Sequence, residues 1–187
     1  MGHSISGRIS VKSMVMVGMF AAFLAVMSQI SLPMPTGVPI TIQVFAVALV
    51  GVVLGWKLGL AAVVVYILIG AVGAPVFANF QGGIQIIAGT AGGYILSWPV
   101  MTALCGIRPR LDNARMNLAV NIVLALIGLA ICEGAGALQW ALLTEGDLQA
   151  IIIYSLTAFV PKDIILTVLA VIIGRQVRRL VERAGGM

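Results

Sequence analysis

Residues 149–174 read QAIIIYSLTAFVPKDIILTVLAVIIG, an apolar run with Pro161, Lys162 and Asp163 at its middle. A hydrocarbon core is crossed by about 17–25 mostly apolar residues, so this run predicts a transmembrane helix. Apart from Tyr154, Lys162 and Asp163 are its only ionisable side chains, and the basic Arg175 follows directly after it. An ionised group in the bilayer costs at least ~2.5–3.5 kcal/mol, so it normally faces a protein interior or a cavity and has a task there. These residues are the first candidates for function.

Outward from that run the same pattern repeats. Hydrophobic residues make up 61% of the 187-residue chain and charged residues 9%, with a mean hydropathy of +1.14. Soluble domains carry about 25% charged residues, so the composition is that of an integral membrane protein. Further apolar runs at 13–30, 40–56, 58–72, 84–107 and 116–143 complete an all-α prediction. The expected fold is a compact bundle of six transmembrane helices, one domain over residues 1–187, with connections too short for a second module.

Loop charge predicts the orientation. Arg8 and Lys12 precede the first run, Lys57 separates the second and third, Arg108, Arg110 and Arg115 separate the fourth and fifth, and Arg175, Arg178, Arg179 and Arg183 follow the sixth. Ten of the eleven Lys and Arg residues therefore fall on alternate connections, and Lys162 is the exception. By the positive-inside rule that side is cytoplasmic, which places both the N and C termini there. The opposite connections, 31–39, 72–83 and 144–148, hold no Lys or Arg.

Several function classes fall away. The formal net charge of +5 is accounted for by topology and attraction to anionic lipid, so nucleic acid is not an expected partner. The first apolar run is too long for a cleaved leader and is expected to stay as a helix. The acylation-like start Met1-Gly2-His3-Ser4-Ile5-Ser6 reads as a chance match. Cys105 and Cys132 belong at different depths, which argues against a disulfide. No Gly-x-x-x-x-Gly-Lys-Ser/Thr loop exists for ATP. The single histidine is His3, no metal-ligand spacing occurs and no Ser-His-Asp set can be assembled, so neither an enzyme nor a metal or cofactor site is expected. Glu133 and Asp163 could form a carboxylate pair if their helices met.

The polar residues share a depth. Gln43 lies 14 residues before Lys57, Tyr94 lies 14 before Arg108, and Asp163 lies 12 before Arg175. At ~1.5 Å rise per residue all three sit at roughly 18–21 Å from the basic side, and Glu133, 18 residues after Arg115, at ~27 Å. Burying such groups without partners or a ligand is costly, so their coincidence predicts a polar pocket in the outer half of the bundle. Glycine-rich segments at 73–83 and 89–94 allow close approach of backbone to a ligand. Pro161 frees the Thr157 carbonyl and is expected to loosen the helix where Lys162 and Asp163 begin. Adjacent helical residues point ~100° apart, so Lys162 and Asp163 are expected to contact different groups rather than each other. An amphipathic ligand with a carboxylate at one end and amide-like groups at the other suits this set. In the first run Gly18 with Ala22, and Ala21 with Ala25, place small residues four apart, a surface on which another helix packs closely.

Val38-Pro39-Ile40-Thr41-Ile42-Gln43, Gly73-Ala74-Pro75-Val76-Phe77, Gln81-Gly82-Gly83, Gly89-Thr90-Ala91-Gly92-Gly93-Tyr94 and Phe159-Val160-Pro161-Lys162-Asp163 together resemble, in order and spacing, the BioY family. That family comprises biotin-binding S components of energy-coupling factor (ECF) transporters, and the resemblance spans nearly the whole chain. It implies a multi-pass protein of a prokaryotic cell membrane that captures biotin from outside. It also implies cooperation with a transmembrane coupling subunit and two cytoplasmic ATPases. The implied substrate-binding residues are Gln43, Phe77, Gln81, Gly93, Tyr94, Lys162 and Asp163. Asp163, Gln81 and Gln43 would read the ureido ring, Tyr94 and Phe77 pack on the fused rings, and Lys162 neutralise the valerate. The implied coupling-subunit interface is Ala21 and Ala25, with Gly18 and Ala22 beside them.

Departures from the family pattern fall at the carboxylate end. Relatives often continue the last motif as Pro-Gly-Asp-x-x-Lys, where this chain has Lys162 at the glycine position and Leu166 at the final lysine position. Lys162 lies on the same helical face as Leu166, one turn nearer the outside, and can substitute for the missing cation. Ile95 stands where some relatives have arginine, and Gln81 where some have asparagine. The rival readings are a stand-alone proton-coupled carrier using Asp163 or Glu133, and a membrane-embedded enzyme acting on a lipid.

Overall fold

The structure, a computed structural model, describes residues 10–35, 37–109, 111–144 and 147–183. The expectations for residues 1–6, Arg8 and Arg110 lie outside the described residues. Helix α1 (Val11–Ser28) opens on Ser10, whose side chain accepts from the Ser13 N–H at 3.1 Å and satisfies one of the free donors of the first turn. A two-residue antiparallel clip of β1 (Ser31–Leu32) and β2 (Ile40–Thr41) follows. This pair was absent from the all-helical expectation because two-residue strands leave no alternating pattern to read.

The central element is α2 (Gln43–Ala71), whose backbone reverses at Gly55. In a straight helix Gln43 and Tyr66 would be ~35 Å apart, yet the Gln43 side-chain amide donates to the Tyr66 hydroxyl at 2.6 Å. The element is therefore a helical hairpin with arms 43–54 and 56–71, and Gly51 of one arm lies against Gly59 of the other. Gly55 has φ 79° and ψ 171°, a conformation that a side chain would strain. The two predicted apolar runs on either side of Lys57 are thus two separate arms. The first arm is buried on nearly every side, which is why Val, Ala and Leu fill all its faces; the second exposes Val64, Leu68 and Ile69 along one stripe.

Beyond the hairpin, a 3₁₀ turn (Ala78–Phe80) and the short helix α3 (Ile84–Ala88) lead into α4 (Gly92–Cys105). Helix α5 (Ala114–Thr144) is the longest straight helix, and α6 (Leu148–Ala158) joins α7 (Val160–Arg183) at a 49° bend. Pro161, two residues past that break, lacks the N–H that would have continued α6, as its position in the sequence led one to expect. Helices α1, α4 and α7 surround the hairpin, and α5 closes the bundle against α4 and α7.

Helices α1, α2 and α5 are each long and apolar enough to cross a membrane, and α6 with α7 form a bent pair that qualifies as one further span. Large apolar side chains cover the outside of the bundle, among them Leu68, Val123, Ile127, Leu142 and Ile165. A contiguous apolar exterior of this kind is stable only against lipid. Cys105 and Cys132 are buried and free, at separate heights.

Candidate ligand-binding site

The gap between α3 and α4 and the break between α6 and α7 both border one cavity. Its open space, measured for the centre of a water molecule, is about 160 Å³, room for a small organic molecule rather than a lone ion. Gln43, Phe77, Gln81, Tyr94, Lys162 and Asp163 all line it, and so does Glu133. The common depth of Gln43, Tyr94 and Asp163, read from helical rise, corresponds to a shared chamber.

The first turns of α2, α4 and α7 all border this chamber, through Gln43 and Val44, Ala91 and Tyr94, and Lys162 and Asp163. Helix N-termini carry about half a positive charge each and unpaired N–H donors, so the chamber receives three such ends. Aromatic rings form its wall. Phe77 and Trp98 are backed by the buried Tyr66, which meets Phe77 edge-on at 5.7 Å and lies 6.1 Å from Trp98, while Tyr94 meets Phe159 at 6.4 Å. Gly136 of α5 lies directly beneath the Tyr94 ring, so a side chain there would push the ring into the cavity.

Charge is concentrated on one wall. The Lys162 ammonium donates to the Thr41 carbonyl at 2.8 Å and forms an ion pair with Asp163. Expecting these neighbours to point apart was incorrect. The ~100° between their Cα–Cβ bonds constrains only the stem, and four methylenes let the ammonium curl back to the nearest carboxylate. Asp163 is 4% exposed and Lys162 29%, so the acid forms the floor and the cation faces the space. Glu133, on α5, lies close enough to both to feel their charges. Its Oε2, the Tyr94 hydroxyl and the Ser155 Oγ are buried with no hydrogen-bond partner. Buried polar atoms are normally paired, and of these three residues Glu133 and Tyr94 line the cavity, where a ligand's polar groups could meet them.

Gly93 is the exception among the expected site residues. It does not line the cavity but lies against the Ala135 backbone, where α4 and α5 approach too closely for a Cβ. The motif glycine is a packing position that seats Tyr94. On α1 the small residues also divide differently from expectation: Ala21 is 4% exposed and packs into the core with Ala25 at its edge, whereas Gly18 and Ala22 face outward.

Sequence reasoning missed the side chains that hold the roof. Gln29 donates to the Ala25 and Phe77 carbonyls at 3.0 and 3.2 Å and accepts from the Phe80 N–H at 2.9 Å. This braces a turn in which Asn79 and Phe80 both adopt positive φ. Gln139 donates to the Ile87 and Gly89 carbonyls at 3.0 and 2.8 Å. Single glutamines in apolar runs were the available signal, but their partners are backbone groups some 50 residues away, which no local pattern reveals.

An apolar helical bundle with a polar, ligand-sized chamber at one end defines a membrane-embedded small-molecule binding protein. The chain belongs to the BioY family, whose model matches residues 2–183. It is 37% identical over 167 residues to the probable biotin transporter BioY of Pyrococcus horikoshii, covering 89% of this chain and 96% of that one. With the biotin transporter BioY of Thermotoga maritima it shares 35% identity over 173 residues, 92% of this chain and 99% of the relative. Its fold matches the crystal structure of the S-component for biotin from an ECF-type ABC transporter with a TM-score of 0.80 and 26% identity, over 90% of this chain and 92% of the other.

Proposed function

We propose that this protein binds biotin within the membrane and acts as the S component of an ECF-type transporter, a capture subunit without an ATPase. The observation that carries this reading is the convergence of Gln43, Gln81, Tyr94, Lys162 and Asp163, from separate helical segments, on one chamber. The family and its biotin-transporting relatives identify the solute class; the chamber supplies matching chemistry. Asp163 accepts from the ureido N–H groups, Gln43 and Gln81 complete the polar contacts, and Tyr94 and Phe77 pack on the fused rings. Lys162 holds the carboxylate.

The chain forms a single domain that crosses a prokaryotic cell membrane six times: α1, the two arms of α2, α3 with α4, α5, and α6 with α7. Both termini are cytoplasmic, following the basic residues, and the chamber opens outward. The coupling subunit packs on the outward Gly18–Ala22 face of α1, and two cytoplasmic ATPases supply the work. Nothing in the proposed role requires catalysis.

Calorimetry of the detergent-purified protein with biotin and with biotin methyl ester, beside Lys162→Ala, tests the reading. Biotin is expected to bind wild type at least tenfold more tightly than the ester, and Lys162→Ala to remove most of that difference (~1.5–3 kcal/mol for a charged hydrogen bond). Failure of wild type to bind biotin refutes the function. Equal affinities for acid and ester remove Lys162 from its role.

A further inference from the structure

One wall of the chamber holds two carboxyl groups and one ammonium, an imbalance that a carboxylate ligand makes worse. Glu133 is 8% exposed, lines the chamber and has an Oε2 with no hydrogen-bond donor. Asp163 and Lys162 on α7 line the same chamber and are the charged groups that act on it. The other titratable groups around it are Tyr94 on α4 and Cys132 on α5, while α2 faces the chamber with the neutral Gln43. Lys162 is already shared between Asp163 and the Thr41 carbonyl. Carboxylates have no hydrogen to offer each other, so two of them side by side in an apolar interior lack a donor.

Resting on the biotin reading, we propose that the chamber takes its anionic ligand together with one proton, held between Glu133 and Asp163. Without the proton, three carboxylates would share one ammonium in low dielectric. The α7 N-terminus is already committed to Asp163, which occupies its first turn, and the ends of α2 and α4 act only over about one turn. With the proton, the Glu133–Asp163 pair gains its missing donor and carries one negative charge. Lys162 can then turn its ammonium toward the incoming carboxylate. No bond is broken; the proton comes from solvent and returns there on release.

Calorimetry of the whole purified protein with biotin, in buffers of different ionisation enthalpy at one pH, counts the protons taken up. At alkaline pH, above the point where the ligand-free pair gives up its shared proton, about one proton per biotin is expected, with affinity falling about tenfold per pH unit there. Biotin methyl ester, which brings no charge, is expected to take up none. Glu133→Gln removes one acid, so this variant is expected to bind biotin without proton uptake and with a flat pH profile, more tightly than wild type at alkaline pH. Biotin binding by wild type with no proton uptake overturns the proposal and leaves the biotin reading standing. Equal uptake with acid and ester, or undiminished uptake in Glu133→Gln, also overturns it. Absence of biotin binding in wild type refutes the functional reading, and this proposal with it.

Discussion

The two ends of the bundle both carry charge and are built in opposite ways. At the basic end Lys12, Lys57 and Arg108 rim a wide, open depression with Trp56 and the Gly55 reversal. Arg108 and Arg178 reach Glu182 at 3.6 and 3.7 Å, long, partly exposed pairs of the kind that contribute little. Burial first, then Arg108 beside it, pull the Arg178 guanidinium down from its ordinary value, while Glu182 acts the other way. At the cavity end the charges are fewer and enclosed: Asp163, Lys162 and Glu133 are grouped on one wall among aromatic rings. The comparison teaches that cations at the helix tips rim an open depression, whereas the cation within the apolar run is paired with a buried acid and lines an enclosed cavity.

That contrast can be broken at its strongest point first. Asp163→Asn is expected to lower biotin affinity by about a hundredfold, since a charged acceptor and the partner of Lys162 are lost together (~3 kcal/mol). Titration calorimetry with unchanged circular dichroism checks it, and binding at near wild-type strength would move the ureido contact elsewhere. Next in size, Gly136→Val places methyls where the Tyr94 ring lies. Overpacking of this kind costs about 1–3 kcal/mol, so both the thermal midpoint and biotin affinity should drop. A variant with full affinity would show that Tyr94 does not have to stay in place. Gln29→Ala removes the bonds to the Phe77 carbonyl and the Phe80 N–H, and a loss of about 1–2 kcal/mol in stability with a few-fold faster biotin release is expected in stopped-flow measurements. The smallest effect belongs to the basic end: Lys57→Gln should leave stability within about 0.5 kcal/mol and biotin affinity unaltered. A marked change in affinity there would erase the distinction between the two ends.

Much of the fold was legible because a bilayer permits few solutions. Apolar runs of spanning length, with Lys57 between the second and third, marked the arms of the α2 hairpin before its reversal at Gly55 was seen. Counting residues from the basic tips placed Gln43, Tyr94 and Asp163 at one height, because helical rise is constant. Direction around a helix axis was harder. The spacing of Gly18, Ala21, Ala22 and Ala25 offered two adjacent faces, and only the position of the hairpin decided that Ala21 turns inward and Gly18 outward. Gly93 belonged to a recognisable motif, yet whether its bare Cα meets a ligand or the Ala135 backbone depended on how near α5 lies.

Length, hydropathy and the placement of the basic residues therefore determined by themselves that the chain is a membrane bundle with polar groups gathered in one half. Those properties follow from transfer free energies that each residue carries wherever it sits. Tertiary structure alone decided that Lys162 returns to Asp163 and Thr41, that Glu133 joins them, and that Gln29 and Gln139 hold the roof. Hydrogen bonds and ion pairs act over a few ångströms, and their partners are brought within reach only after the helices have packed.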